Sequence, residues 1–357
     1  MGKRRFRRAT GLGGIALAAL LLAACNGAPS ARSAGDGHGQ RAGTTTTGAP
    51  RTTTTTAPPG PSPLAVPAAL TPFAPPPAPT DGTWTPAGRS VNGFPAVYET
   101  RLVPPDGGSE AGIAWMDTNL LGAQLYSGSK IPGGGPYTLT APVLPAQAAT
   151  LVAAFNGGFL IKDAQGGYFT EGRAIYPLVD GAASLVIRSD GSVTVGAWGS
   201  DVGMTPDVAA VRQNLVPLVE GGQPTAQASN PDWHFWGATC GVSSCSGAGI
   251  ENQWRSGAGV TSNGALVYAV GPALDPMQLA QLLVRAGVVR GMELDINPSW
   301  PVFATYAPPP GAPAGPSNGS SMQPAADQGP STFFEAAWAR DFITMSARTT
   351  AVGAPSG

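Results

Sequence analysis

Residues 254–300 read WRSGAGVTSNGALVYAVGPALDPMQLAQLLVRAGVVRGMELDINPSW, and the punctuation of this stretch decides the fold. Ser262-Asn263-Gly264 joins two runs of strand length, Gly257–Thr261 and Leu266–Val270, and Asn-Gly between such runs predicts a hairpin. A helix follows. Asp275 can cap it, Pro276 suits its first position, and Gly287 can end it in the left-handed conformation. Leu279, Leu282, Leu283 and Ala286 recur at three- and four-residue spacing, which predicts one apolar face packed on a sheet. Met292-Glu293-Leu294-Asp295 then reads as a short strand running into Ile296-Asn297-Pro298-Ser299-Trp300.

Working outward, Val97–Val103, Ile113–Met116, Gln124–Tyr126, Leu151–Phe155 and Ser184–Arg188 have the length and residue types of strands. Asp190-Gly191 turns Ser184–Arg188 into Val193–Ala197, a second hairpin. Phe342–Met345 reads as the closing strand, and residues 307–330 as a long Pro/Gly-rich surface loop. The expected fold is α/β in the α+β sense: one sheet-rich domain over residues 84–350, with few helices packed on the sheet.

Ahead of that domain the composition changes twice. Residues 1–25 hold Lys3, Arg4, Arg5, Arg7 and Arg8, then an apolar run ending Leu22-Ala23-Ala24-Cys25. This is a signal-peptide pattern, too short to span a bilayer. Its end resembles the bacterial lipobox, which implies lipidation of Cys25 and an extracytoplasmic protein anchored to the outer face of the cell membrane. Residues 26–83 are rich in Thr, Pro and small residues, with no apolar face to bury, and are expected to form a disordered tether. An oxidising compartment permits Cys240 and Cys245, with four residues between them, to pair as a disulfide; the alternative is a Cys nucleophile assisted by His234.

The charge balance narrows the function. Residues 82–357 carry 12 basic against 19 acidic groups, so the domain has no basic footprint for nucleic acid. Two histidines in 357 residues leave little material for a His-rich metal site. No cofactor or protein-held metal is expected, although a divalent metal could neutralise a phosphate.

Four places join polar residues to strands. Asn156-Gly157-Gly158-Phe159 follows a strand and reads as a glycine turn, or as backbone approaching a ligand beside the Asn156 amide. Gln213 and Asn214 precede Leu215–Val219, which reads as an apolar strand, and could satisfy loop backbone or a ligand equally well. Arg255 could hold a phosphate through two parallel hydrogen bonds, or pair with a surface carboxylate. Glu293 and Asp295, at i and i+2 of a strand, are expected on one face with Cα atoms about 6.5 Å apart. Two carboxylates so placed raise at least one pKa and suit glycosyl chemistry; the alternative is a cap on the following turn.

In this order, with the hairpin and helix between them, the pieces resemble the phosphodiester glycosidase family over about Val97–Met345. The resemblance implies an α/β domain that hydrolyses the bond between a sugar's anomeric carbon and a phosphodiester. Asp295 would act at the anomeric centre with Glu293 as a second carboxylate, Arg255 would hold the phosphate, and Asn156 would bind sugar or phosphate. One departure is plain: the family follows Leu-Asp with Gly-Gly, whereas Ile296-Asn297 stands here, with Trp300 as a candidate sugar-stacking platform.

The leading expectation is a cell-envelope hydrolase acting on sugar-1-phosphate diesters of wall or capsular glycans, tied to the membrane by its lipid anchor. The alternative is a catalytically inactive glycan- or phosphoglycan-binding lipoprotein of the same fold. A solute-binding lipoprotein is disfavoured, because one clearly capped helix does not make the repeated βα units of two lobes.

Overall fold

The computed structural model describes residues 62–73, 81–105, 107–237, 252–296 and 298–348. The signal-like segment with Cys25, residues 26–61 and 74–80 of the expected tether, Cys240, Cys245 and Asn297 lie outside the described residues.

Four strands open the domain: β1 (Thr85–Ala87), β2 (Val97–Leu102), β3 (Ala111–Met116) and β4 (Leu121–Tyr126). The one-turn helix α1 (Pro145–Ala148) precedes β5 (Leu151–Asn156), and α2 (Ile161–Ala164) precedes β6 (Tyr168–Thr170), β7 (Arg173–Tyr176), β8 (Ala183–Arg188), β9 (Val193–Ala197) and β10 (Val208–Gln213). β11 (Val219–Glu220), β12 (Gln223–Pro224) and α3 (Trp233–Trp236) lead to β13 (Gln253–Thr261), β14 (Leu266–Leu274), α4 (Pro276–Arg285) and β15 (Val288–Ile296). β16 (Phe303–Tyr306), β17 (Gly319–Ser321) and β18 (Phe342–Ala347) complete it.

These strands build three sheets, ordered β1-β2-β3-β14-β13-β15-β11-β12, β7-β6-β10-β8-β9 and β17-β16-β5-β18-β4. Every pairing between them is antiparallel. The α+β description therefore holds and α/β in the strict sense does not: parallel neighbours need long crossovers, and α4 is the one α-helix longer than a turn among the described residues. β14 shows how the sequence serves two layers. Leu266, Tyr268 and Val270 enter the central core where the three sheets meet, while Val267 and Ala269 face the second core beneath α4.

The 254–300 stretch folds largely as its punctuation predicts. β13 and β14 form the hairpin, with Gly264 at φ 90° in the turn. The Asp275 side chain accepts from Gln278 N and the Gln278 side chain accepts from Asp275 N, a capping box. Gly287, at φ 88°, ends α4. Leu279, Leu282 and Leu283 are buried against the sheet, and a Cβ on Gly257 would lie 3.2 Å from Leu279 Cδ2 and 2.8 Å from Met292 O. Glycine at this strand position lets the helix approach closely.

Three expectations are corrected. Residues 62–73, read as tether, lie against the domain. Leu64, Leu70 and Phe73 pack on the core beneath α4, Leu64 N donates to Asp117 Oδ2 at 2.8 Å, and the Arg285 guanidinium sits 4.0 Å from the Phe73 ring centroid. Three apolar side chains dispersed among prolines make a docking strip that composition hides. Residues 307–330 are more than a loop, since β17 pairs with β16 and Met322 enters the central core. The strand expected after Asn214 lies before it instead, as β10, where Val208, Ala210 and Val211 alternate between two cores.

Candidate functional site

Five strand ends, drawn from all three sheets, bring polar side chains to one place. β5 ends at Asn156, β10 ends at Gln213 before Asn214, β13 begins near Arg255 and Ser256, β15 ends just past Glu293 and Asp295, and Arg340-Asp341 enters β18. All of these side chains are buried. Buried polar groups persist only when paired, and here the pairing is nearly complete.

Asn156 spends its whole amide. Its Nδ2 donates to Gly157 O at 2.8 Å and Ser256 Oγ at 3.0 Å, and its Oδ1 accepts from Tyr268 Oη at 2.6 Å and Val302 N at 3.1 Å. Asn214 ties strands together: Oδ1 accepts from Phe159 N, and Nδ2 donates to Glu293 O and Leu294 O. Gln213 accepts from Gly167 N and Val179 N and donates to Val179 O and Ser184 Oγ. Of the alternatives that the sequence left open at these three residues, this arrangement satisfies backbone and scaffold.

Gly157 and Gly158 adopt no positive φ, contrary to the expected glycine turn. They are small for another reason. A Cβ on Gly157 would collide with the Asp341 carboxylate, and one on Gly158 would lie 2.6 Å from Asn214 Oδ1 and 3.0 Å from the Arg212 guanidinium carbon. The backbone makes room for neighbouring side chains.

Three arginine–carboxylate pairs form the centre of the cluster. Arg212 Nε donates to Asp341 Oδ2 at 2.8 Å, Arg255 Nη1 to Glu293 Oε1 at 2.6 Å, and Arg340 Nη2 to Asp295 Oδ2. Glu293 and Asp295 thus answer to different arginines. The reason is a bulge: between paired positions β13 advances two residues, Arg255 to Gly257, while β15 advances three, Glu293 to Ile296. Bulges re-aim side chains, and this one removes the simple same-face carboxylate pair that the spacing predicts.

Burial, partly offset by the paired arginines, sets the acidities. Burial raises Glu293 to about 7 against the lowering by Arg255, and raises Asp295 to about 7 against the lowering by Arg340, the Ile296 amide and Arg212. The two carboxyls do not raise each other, which departs from the expected origin of the shift.

Exposure distinguishes one of these pairs from the other two. Arg212, Arg255, Glu293 and Asp341 are 0% exposed, whereas Asp295 is 3% and Arg340 5% exposed, with half-buried Trp300 beside them. Arg255 also donates to Leu274 O at 2.8 Å and Trp236 O at 3.0 Å, so its guanidinium is enclosed by the fold and does not suit the phosphate role that the resemblance gave it. Trp300 lies with its ring 4.6 Å from the Arg340 guanidinium carbon, an arrangement of cation over aromatic face. His234 is exposed, with Nδ1 2.6 Å from Asp232 Oδ1. Among the described residues no three His, Cys, Asp or Glu side chains group as metal ligands. A cleft of about 530 Å³ elsewhere, lined by residues including Gln124, Gln147, Arg188 and Arg348, shares no residue with this cluster.

Sequence reasoning missed Arg340, Asp341, Ser256 and the role of Arg212. The one available signal was the charged dipeptide Arg340-Asp341 directly before an apolar strand, since charge at the mouth of a buried strand must be paired.

No protein-family model matches the sequence, and no curated protein matches it. Among solved structures, the chain is similar to the zebrafish N-acetylglucosamine-1-phosphodiester alpha-N-acetylglucosaminidase catalytic domain auto-inhibited by its pro-peptide, with TM-score 0.44 and 14% identity over 74% of this chain and 88% of that one. It is also similar to a hypothetical protein from Synechocystis, with TM-score 0.41 and 12% identity over 74% of this chain and 64% of that one. A Burkholderia pseudomallei protein named as exported gives TM-score 0.36 and 11% identity over 66% of this chain and 74% of that one.

Proposed function

We propose that the protein is a lipid-anchored cell-envelope hydrolase that cleaves the glycosidic bond of sugar-1-phosphate diesters. The observation that carries the reading is the Asp295–Arg340 pair: of the three buried ion pairs among the described residues, it alone keeps a trace of solvent exposure on both members, where the other two have none. A carboxylate beside a guanidinium is what this reaction needs. Asp295 acts at the anomeric carbon, as nucleophile or as base toward water, while Arg340 takes the phosphate through charge-assisted hydrogen bonds.

The bond between the anomeric carbon and the phosphate oxygen breaks, its electron pair leaves with the phosphomonoester, and water supplies the hydroxyl of the released sugar. A phosphate leaving group is stable without a proton, so a second acid is dispensable. That suits a site where Glu293 is committed to Arg255. Arg340 takes over the phosphate role first assigned to Arg255, and Asn156, Gln213 and Asn214 hold the frame. The membrane anchor at Cys25, the tether upstream of residue 62 and the Cys240–Cys245 disulfide belong to the same proposal.

The test is incubation of the mature protein with a panel of sugar-1-phosphate diesters, scoring free sugar and phosphomonoester, with Asp295→Asn as control. Both products from wild type and neither from Asp295→Asn are expected. No product from any diester, with or without divalent metal, would sink the hydrolase reading. Unchanged polymer affinity in Asp295→Asn beside that result would establish the binding-protein alternative.

A further inference from the structure

Both hydrogen bonds of Arg340 leave from Nη2, to Gly158 O and to Asp295 Oδ2, and its Nε is buried with no partner among the described residues. A buried cationic N–H without an acceptor is a prepared place for an anionic oxygen, because charge-assisted hydrogen bonds are the strong ones. The Trp300 indole covers the guanidinium beside it. Its ring lies 4.6 Å from the guanidinium carbon and 5.9 Å from the Trp338 ring, tilted 58° to it. The segment carrying Trp300 is anchored to a neighbouring loop, with Ser299 Oγ donating to Asp327 Oδ2 at 3.0 Å and Asp327 N donating to Pro298 O at 3.3 Å. The backbone is thus held while the indole stays half-buried.

We propose that Trp300 is the specificity-determining residue of the Asp295 site: its indole caps Arg340 and yields only to a ligand whose anionic group takes up the unused guanidinium N–H. A neutral hydroxyl offers the guanidinium no charge to replace the aromatic face, so neutral sugars leave the cap in place. A phosphate oxygen does replace it, and the cap makes the site selective for phosphate-bearing ligands. This inference rests on the reading of Asp295 and Arg340 given above.

The experiment is calorimetric titration of the full chain with inorganic phosphate, with tryptophan fluorescence recorded in parallel, for wild type, Trp300→Ala, Trp300→Phe and Arg340→Ala. Trp300→Ala is expected to bind phosphate about five- to tenfold more tightly, the factor that loss of a partly buried cation–π contact implies. Trp300→Phe, which keeps a ring against Trp338, is expected to fall between the two and to lose the fluorescence response that wild type shows on binding. Should Trp300→Ala fail to fold, the Phe variant carries the test by that lost response. Equal affinity in wild type and both Trp300 variants, with binding abolished in Arg340→Ala, overturns the cap and leaves Arg340 as the anion site. Phosphate binding that survives Arg340→Ala, or no binding by any form, overturns both.

Discussion

Arg255→Met separates a scaffold arginine from a ligand clamp. The guanidinium donates to Glu293 Oε1, Leu274 O and Trp236 O, and all of its surface is enclosed. Methionine fills much of the volume but supplies no donor, so these three acceptors lose a partner in a dry interior. The carboxyl does not stay charged. Burial already holds Glu293 near 7, and without the lowering by Arg255 it rises further and keeps its proton at neutral pH. The cost is then that of orphaned acceptors, about 1–3 kcal/mol each and so about 3–9 kcal/mol for three if none relaxes; relaxation around the smaller side chain holds the net cost near the low end, about 3–5 kcal/mol, the range typical of a broken buried pair. At about 2–4 °C per kcal/mol for a domain of this size, the unfolding midpoint falls by about 6–20 °C. Thermal unfolding followed by circular dichroism reads this directly. The double variant Arg255→Met/Glu293→Met is expected to recover part of the loss, because the orphaned carboxyl is gone. A wild-type midpoint in Arg255→Met combined with lost phosphate binding would refute the scaffold assignment and return Arg255 to the ligand.

Other consequences are as direct. Glu293 and Asp295 keep their protons to about 7 in the folded state, against 4.5 and 3.8 ordinarily, so between about pH 4 and 7 the native state binds more protons than the unfolded chain. Stability contributed by these two groups is fully present below the ordinary values and is lost as pH rises through 7. Urea unfolding is therefore expected to show the protein more stable at pH 5 than at pH 8 by about 2 kcal/mol or more, and equal stability would contradict the burial of these carboxyls. Should Asp295 act ionised, kcat/KM on a diester rises with pH through about 7, and a flat profile would remove it from the rate-determining ionisation. Leu70→Ala is expected to cost about 2 kcal/mol by removing a docked side chain from the core beneath α4; a midpoint identical to wild type would show that residues 62–73 hang free. Gly157→Ala forces a methyl against Asp341 and is expected to cost about 1–3 kcal/mol, measured by the same melts.

Local signals carried the elements of this protein, and the reason is that each needs only its own neighbours. A hairpin requires Asn263-Gly264 between two runs, and α4 requires Asp275, Pro276 and Gly287 at fixed offsets, so both are legible in a single pass. The continuous apolar run Leu266–Val270 has the length and residue types of a buried strand. The candidate site is different in kind. Asn156, Asn214, Arg255 and Asp295 are visible in the sequence as polar residues near strand ends, but their partners lie far away in sequence: Arg340 is 45 residues from Asp295, and Glu293 is 38 from Arg255.

Sequence alone determined the antiparallel elements, the capped helix, the acidic main domain and the polar residues that need partners, because propensity, turn chemistry and charge act locally. Tertiary structure decided which carboxylate meets which arginine, which amides the scaffold consumes, and that residues 62–73 dock. Those outcomes depend on how three sheets stack and on one extra residue in β15, and the pairing of buried charge is settled only when the sheets bring distant strand ends together.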